Sequence, residues 1–398
     1  MKYLVVLGDG MADEPMEALD GKTVLEYAET PMMDELAAMG EIGLVHTIPE
    51  GMKPGSDTAN LSVLGYDPKK YYSGRSPLEA LSIGVPMKDT DVAFRANIVT
   101  LSDDEPYEEK TMIDHSSDEI STEDAAVLIE ALKEGMSFEG HQLYVGTSYR
   151  HCLIRENGSV VALSQPHDIL TQKITEYLPQ DEALLRMQKQ SYEILSKHPL
   201  NLERVKKGLH PANSLWFWGA GTKPALTSFE EIYHKKAVMI SAVDLLKGIA
   251  VGAGMKNIIV EGANGGLHTN YEGKAQAAVD ALLKDGYDFA YIHVEAPDEM
   301  GHQGSVERKL QAVQFLDERV IRYVKEKMDA SGEEYRLLVL PDHPTPIRVR
   351  THTADPVPYL LYDSTKPEKH DWHYNEREAA ESGNDVAHGY EMMGYLFA

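Results

Sequence analysis

Short apolar runs, each closed by turn residues and separated by helical patterns, constrain this chain more than any other feature. Tyr3–Leu7, Ala237–Ile240, Asn257–Val260, Phe289–Val294, Leu337–Leu340 and Pro358–Leu361 read as buried strands, because runs this short between Gly, Asp, Ser and Pro cannot sustain a helix. Between them, Ser241–Ala253 begins at a candidate serine cap, Lys274–Lys284 carries apolar residues at helical spacing, and Glu307–Met328 is long and amphipathic. Strands alternating with helices predict an α/β core whose mostly parallel sheet is flanked by helices. Active residues in such sheets gather at the carboxyl ends of the strands. Gly8-Asp9 follows one apolar run, Glu295–Asp298 another, and Asp342-His343 a third.

The middle of the chain has a different grammar. Phe94–Leu101 alternates, Ser102–Glu109 is acidic, and a capped helix is expected from Ser121 through Leu132. Gln142–Val145 is strand-like, and His151–Arg155 with Val160–Leu163 around Asn157-Gly158 predicts a hairpin. A polar helix follows at Asp181–Ser196. The 398 residues exceed what one core usually holds. The expected division is a discontinuous catalytic core over 1–87 and 212–398, with an inserted α+β domain over 88–211 that binds substrate and acts as a lid.

Charge narrows the partners. A formal net charge of -26 argues against nucleic acid or an anionic membrane surface. It would also repel a phosphorylated metabolite unless local cations override it, and bound divalent metals are the strongest available. The single Cys152 cannot form an intrachain disulfide and reads as a buried thiol. The first apolar run is too short for a signal peptide, and no apolar stretch is long enough to span a bilayer, so a cytoplasmic protein is expected. The sequence carries no signal for an oligomeric state.

Hard carboxylates and imidazoles cluster in both terminal segments. Asp298-x-x-x-His302 can place both side chains on one face of a helical turn, which suits one metal ion. Asp342 and His343 are adjacent and converge only at a strand end or turn. Ser56 lies in Gly55-Ser-Asp-Thr-Ala-Asn60, a turn feeding a helix, where the helix dipole stabilises an anion. Taken alone such a serine is an ordinary N-cap; on a metal it is a competent nucleophile. Asn60 either offers its amide to a phosphoryl oxygen or lies on the helix face. Arg75, Arg95, Arg150, Arg155, Lys223 and Lys274 are candidates for clamping phosphate or carboxylate. His151 and His167 are placed so that an inserted domain could deliver them. Each of these basic residues taken singly also reads as a surface or ion-paired group.

Longer motifs join these pieces. Gly8-Asp-Gly-Met-Ala-Asp13, Gly55-Ser-Asp-Thr-Ala-Asn-Leu-Ser-Val-Leu-Gly-Tyr-Asp67, Gly74-Arg-Ser-Pro-Leu-Glu-Ala80, His293-Val-Glu-Ala-Pro-Asp-Glu-Met-Gly-His302 and His352-Thr-Ala-Asp-Pro-Val-Pro358 resemble the cofactor-independent phosphoglycerate mutases of archaeal type. Those belong to the alkaline phosphatase superfamily, and the resemblance spans essentially the whole chain. It implies an alkaline-phosphatase-like core holding two divalent ions, manganese or zinc, with magnesium as a further choice. One ion would take Asp9, Ser56, Asp342 and His343; the other would take Asp298, His302 and His352. Ser56 would accept the phosphoryl group as phosphoserine and return it to the other hydroxyl of the glycerate, interconverting 3-phosphoglycerate and 2-phosphoglycerate. The chain departs from the pattern at Asp114-His-Ser-Ser-Asp-Glu-Ile-Ser121, where acids stand in place of the usual arginines. That segment suits a substrate bearing an ammonium group, so a homoserine kinase of the same family is the alternative activity.

Overall fold

The computed structural model describes the chain from Met1 to Ala398. The chain divides into two compact units, Met1–Tyr72 with Leu226–Ala398, and Ser73–Ala225.

The first unit is built on an eight-stranded sheet. Across it the strands run Asp385–Val386, Glu41–Val45, Val357–Asp363, Tyr335–Leu340, Lys2–Gly8, Phe289–Val294, Ala237–Ile240 and Lys256–Asn257. Only Val357–Asp363 opposes its neighbours, so the sheet is mostly parallel, as the alternation requires. The central strand Lys2–Gly8 pairs Gly8 with Val294 on one side and Leu7 with Leu340 on the other. That register brings Asp9, Glu295 and Asp342 out at one carboxyl edge. Val5, Val6, Ile292, Leu338 and Val339 are fully buried. Both faces are covered, which is why these runs are continuously apolar; each such side chain stabilises the fold by about 1.5–3 kcal/mol.

Helices supply the cover. Tyr271–Leu283 starts where the Asn270 side chain accepts from Gly273 N, and Val306–Phe315 starts where Ser305 accepts from Arg308 N. The latter continues through a π-helical stretch, Leu316–Ile321, into Arg322–Ser331 and stops at Gly332, whose φ of 73° no helix continues. This is the long amphipathic element expected from the sequence. Its π-helical stretch carries buried Asp317, whose carboxylate accepts from Met32 N at 3.2 Å and Met33 N at 2.6 Å, capping the helix Pro31–Ala37 from outside. No helix is long and apolar enough to cross a membrane. The strand expected over Asn257–Val260 ends at Asn257, because the chain then turns through Glu261-Gly262, and Ile259 is 71% exposed.

The second unit holds a five-stranded sheet in which Val92–Leu101 pairs with Met112–Asp114, Arg150–Arg155 and Ser214–Thr222, and His141–Thr147 pairs with Arg150–Arg155. All of these pairings are antiparallel. Helices Thr122–Gly135 and Glu182–Leu195 pack on it, each capped by the residue before it, Ser121 and Asp181.

Two expectations are corrected here. Residues 73–87 and 212–225, expected in the core, belong to the second unit. The reason is burial: Ala80, Val85 and Met87 pack with Ala93, Cys152 and Ile154, and Ser214–Thr222 is part of that unit's sheet. The hairpin turns at Ser148-Tyr149 rather than Asn157-Gly158. Arg150–Arg155 already has a strand on either side, so Val160–Leu163 finds no free edge and Val160 is exposed.

Candidate active site

At the carboxyl edge of the first unit's sheet, the chain ends of three adjacent strands meet the helix that starts at Ser56. Gly10 lets the turn after the first strand close: its φ is +60°, and a Cβ there would lie 2.7 Å from Asp298 Oδ1 and collide with the Thr345 hydroxyl. Its N–H donates to Asp342 Oδ1 at 3.1 Å. His343 N donates to the same oxygen, and Asn60 Nδ2 donates to Asp342 Oδ2 at 3.0 Å. Asp342 is therefore held in one orientation without exposure to solvent.

Two groups of ligand atoms result. In the inner group, His343 Nε2 lies 3.1 Å from Ser56 Oγ, 3.5 Å from Asp9 Oδ1 and 3.3 Å from Asp342 Oδ2. His343 Nδ1 faces the Pro344 carbonyl, which requires a proton on Nδ1 and leaves the Nε2 lone pair toward the acids. In the outer group, His302 Nε2 lies 3.2 Å from Asp298 Oδ2, His352 Nε2 lies 3.3 Å from Asp298 Oδ1, and the two Nε2 atoms are 3.0 Å apart. His302 donates from Nδ1 to the Arg350 carbonyl at 2.9 Å, so its Nε2 is turned inward to Asp298 and His352. The rings of His343 and His352 stand 4.0 Å apart and join the groups.

Electrostatics describe a site short of positive charge. Burial, then the charges of Asp342 and Asp298, push Asp9 well above the usual carboxylate range. Asp9 Oδ1 is buried and has no hydrogen-bond partner. Burial lowers His343, whereas the Asp298 carboxylate raises His302 to about 9. Burial alone would raise Asp298, but the bonds from His302 and His352 hold it well below its normal value. A bare buried carboxylate oxygen among acids and lone pairs is the donor set of a divalent cation, so these residues fit the two metal ions. Asp9, Asp342 and His343, and likewise Asp298, His343 and His352, bring their ligand atoms close enough to share an ion.

The structure thus gathers all seven residues that the sequence suggested around metal: Asp9, Ser56, Asp298, His302, Asp342, His343 and His352. Two expected substrate contacts are corrected. Lys274 is fully buried, and its ammonium is spent on Glu295 Oε2 at 2.5 Å and the His293 carbonyl at 2.8 Å. Asn60 donates to Ser56 O at 2.8 Å as well as to Asp342, and accepts from Tyr291 OH at 2.6 Å, so neither amide proton is left for a ligand.

Arg75, Arg95, Arg150, His151 and His167 belong to the second unit. There Arg75 and Arg95 share the Glu79 carboxylate, Arg95 lies over the Trp218 ring, and Arg150 is exposed beside Tyr149. His167 stands edge-on to His115 and Trp218. Burial drives His151 down to about 4, so it is neutral, and its Nδ1 accepts from Gly146 N. The acidic segment folds on itself: Asp114 accepts from Ser116 and from Asp118 N, and Asp118 accepts from His210.

Sequence reasoning missed the residues behind the candidate metal ligands. His293, Glu295 and Ser241 stand behind Asp9, and Thr345 donates to Asp298 Oδ1 at 2.5 Å. The signal was a histidine and a glutamate at alternate positions closing an otherwise apolar strand.

Solved structures place this architecture in a class. A protein from Pyrococcus horikoshii superposes with a TM-score of 0.83 at 32% identity, covering 99% of this chain and 96% of that one. The cofactor-independent phosphoglycerate mutase of Thermoplasma acidophilum superposes with a TM-score of 0.68 at 27% identity, covering 100% and 99%. The class is therefore an α/β fold shared with a cofactor-independent mutase, carrying carboxylate and imidazole groups suited to metal. Sequence gives the family. A profile described as 2,3-bisphosphoglycerate-independent phosphoglycerate mutase matches residues 37–201. A protein of that name from Methanosarcina barkeri is 48% identical over 100% of this chain and 99% of its own length, and one from Methanothrix thermoacetophila is 45% identical over 100% of each. The chain belongs to the 2,3-bisphosphoglycerate-independent phosphoglycerate mutase family.

Proposed function

We propose that this chain interconverts 3-phosphoglycerate and 2-phosphoglycerate through a phosphoserine at Ser56. The observation that carries the proposal is the Ser56 hydroxyl, 3.1 Å from His343 Nε2 at the first residue of the helix Ser56–Val63 and beside the Asp9–Asp342 pair. The two ions would be held by Asp9, Ser56, Asp342 and His343, and by Asp298, His302 and His352. Bound there, two divalent cations, manganese or zinc in our reading, would lower the pKa of the serine hydroxyl and neutralise phosphoryl oxygens.

The chain's own residues set the rest. Asn60 fixes both the Ser56 carbonyl and Asp342, so the nucleophile and its acidic neighbour move as one piece. The helix dipole favours negative charge at Ser56. An Oγ–P bond forms as the bond from phosphorus to the glycerate oxygen breaks. The reverse transfer delivers the phosphoryl group to the other hydroxyl. The proton lost from Ser56 balances the proton gained by the released glycerate hydroxyl, so the cycle is neutral in protons. Substrate contacts from Arg75, Arg95, Arg150, His151 and His167, a lid role for the second unit, and a cytoplasmic location for a chain with one cysteine belong to the same proposal.

The test is direct. Metal-loaded protein incubated with 3-phosphoglycerate, without added bisphosphoglycerate, should generate 2-phosphoglycerate, and no interconversion at high enzyme concentration refutes the reading. The homoserine kinase alternative is less well supported, because Asp114 and Asp118 of the segment that favoured it are engaged by local backbone N–H groups and by His210.

A further inference from the structure

Behind Asp9 lies a chain of four buried side chains drawn from separate elements. His293, the penultimate residue of the strand Phe289–Val294, presents Nε2 to Asp9 Oδ2 at 2.8 Å. Its Nδ1 faces Glu295 Oε1 at 3.1 Å and Ser241 Oγ at 3.0 Å. Glu295 is fixed in turn by Ser241 Oγ, by Ala242 N at 2.7 Å and by the Lys274 ammonium at 2.5 Å. Lys274, from the helix Tyr271–Leu283, also donates to the His293 carbonyl, which closes the circuit. His293 and Lys274 are completely buried, and Asp9, Ser241 and Glu295 are nearly so.

Burying two carboxylates, an ammonium and an imidazole is costly unless they are paired and oriented. Here the orientation has a direction. Every hydrogen bond to Glu295 fixes the imidazole plane, and the imidazole's remaining nitrogen fixes one Asp9 oxygen. Asp9 Oδ1 is thereby left as the oxygen without a partner, facing His343. A carboxylate without this hold could turn either oxygen, or both, toward its neighbours. Asp298 is held from behind by the Thr345 hydroxyl alone, with no buried charged relay, and its oxygens face His302 and His352 directly.

Resting on the reading of Asp9 as a metal ligand, we propose that His293 is a positioning residue. It locks Asp9 Oδ2 so that Oδ1 alone is offered to the inner cation, and Glu295, Ser241 and Lys274 hold His293 in that role. The relay sets the affinity of the inner site and leaves the outer site untouched.

Two neutral substitutions separate this role from a merely structural one. In His293→Gln the amide nitrogen takes the place of Nε2 and can still donate to Asp9. In His293→Asn the amide reaches only the place of Nδ1, so the bond to Asp9 is lost. Zinc ions titrated against a chromophoric chelator would report the two equivalents separately, and thermal melting would report folding. The expected result is a 10–100-fold loss of affinity for one equivalent in His293→Asn, with the other unchanged. His293→Gln should recover most of that loss. Should His293→Asn not fold, Ser241→Ala, which removes one hydroxyl and no charge, should weaken the same single equivalent by a smaller factor. Equal affinities in the Asn and Gln variants, or in Ser241→Ala and the parent, overturn the proposal. Asp9→Asn is the control: if it retains both equivalents at parental affinity, the ligand reading itself fails. If it loses one while His293→Asn does not, only the relay fails.

Discussion

The inner and outer halves of the site are made of similar residue types but are constructed differently. Asp342 and His343 are wholly buried and Asp9 is 5% exposed at its side chain, each held by hydrogen bonds from behind. In the outer half the side chains of Asp298, His352 and His302 are 16%, 22% and 35% exposed. The outer half is steadied by one hydroxyl from Thr345 and one carbonyl from Arg350. A ligand set fixed before the metal arrives binds without an ordering cost, and one in contact with water exchanges its ion more readily. On the proposed reading the inner half would hold its ion the more firmly, and the outer half is the part that solution reaches.

The largest test of this contrast is Ser56, the proposed nucleophile, which borders the inner half. Ser56→Ala removes one hydroxyl outside the core and should lower phosphoryl transfer by roughly 10⁴-fold or more while the melting temperature holds. Transfer at a comparable rate in that variant would break the covalent mechanism. Next comes removal of metal. A chelator should strip one equivalent well before the other, and Asp298→Ala should abolish the early phase. If Asp342→Asn abolishes it instead, the two halves have been assigned the wrong way round.

Acid should sharpen the contrast further. His302 sits at about 9 because Asp298 holds its protonated form, and a cation must displace that proton. Outer-site affinity should thus fall about tenfold for each pH unit below 9 and level off above it. His343, lowered by burial, adds no such slope above neutral pH. Asp9, pushed up by burial and by the charges of Asp342 and Asp298, gives the inner site a proton of its own to lose, so the test is the outer equivalent: no decline in its affinity between pH 9 and pH 6 would contradict the assignment.

The smallest expected effect lies away from the site. Burial raises Asp317 to about 6, although Met33 N and Met32 N both donate to it. The folded state then binds this proton more tightly than the unfolded chain does. Its contribution is full below the unfolded value near 3.8 and is lost as pH rises through about 6. Asp317→Asn should flatten that dependence and cost about 1–2 kcal/mol near pH 4, where one helix N–H loses its acceptor. Denaturant unfolding at pH 4 and pH 7 would show it, and an unchanged pH profile would count against the assignment.

What could be read from the chain alone follows the same divide. Asp9, Asp342 and Asp298 were legible because each follows an apolar run, and a parallel sheet delivers such positions to one edge. His293 and Glu295 were not singled out, since hydropathy registers only that the strand is buried and not that its last polar side chain points at Asp9. Lys274 and Asn60 were misread for the related reason that a donor's availability depends on partners far away in sequence. The boundaries of the second unit failed on burial: Ala80, Val85 and Met87 give no compositional sign of which core they enter. The displaced hairpin shows that a good turn signal is not enough where no strand edge remains to be paired.

The pairing of the first strand with the last third of the chain has a consequence for biosynthesis. Asp9 and His293 are 284 positions apart, and Gly10 and Asp342 are 332 apart. At about 5–20 residues per second, the ribosome needs roughly 15–60 s to supply the partner of a strand it made first. Throughout that interval Tyr3–Leu7 is an apolar segment with two unpaired edges, open to other nascent chains and to chaperones. Neither half of the proposed centre is complete until its last residue, His343 or His352, has emerged. A product truncated before His343 would lack residues of both proposed metal sites.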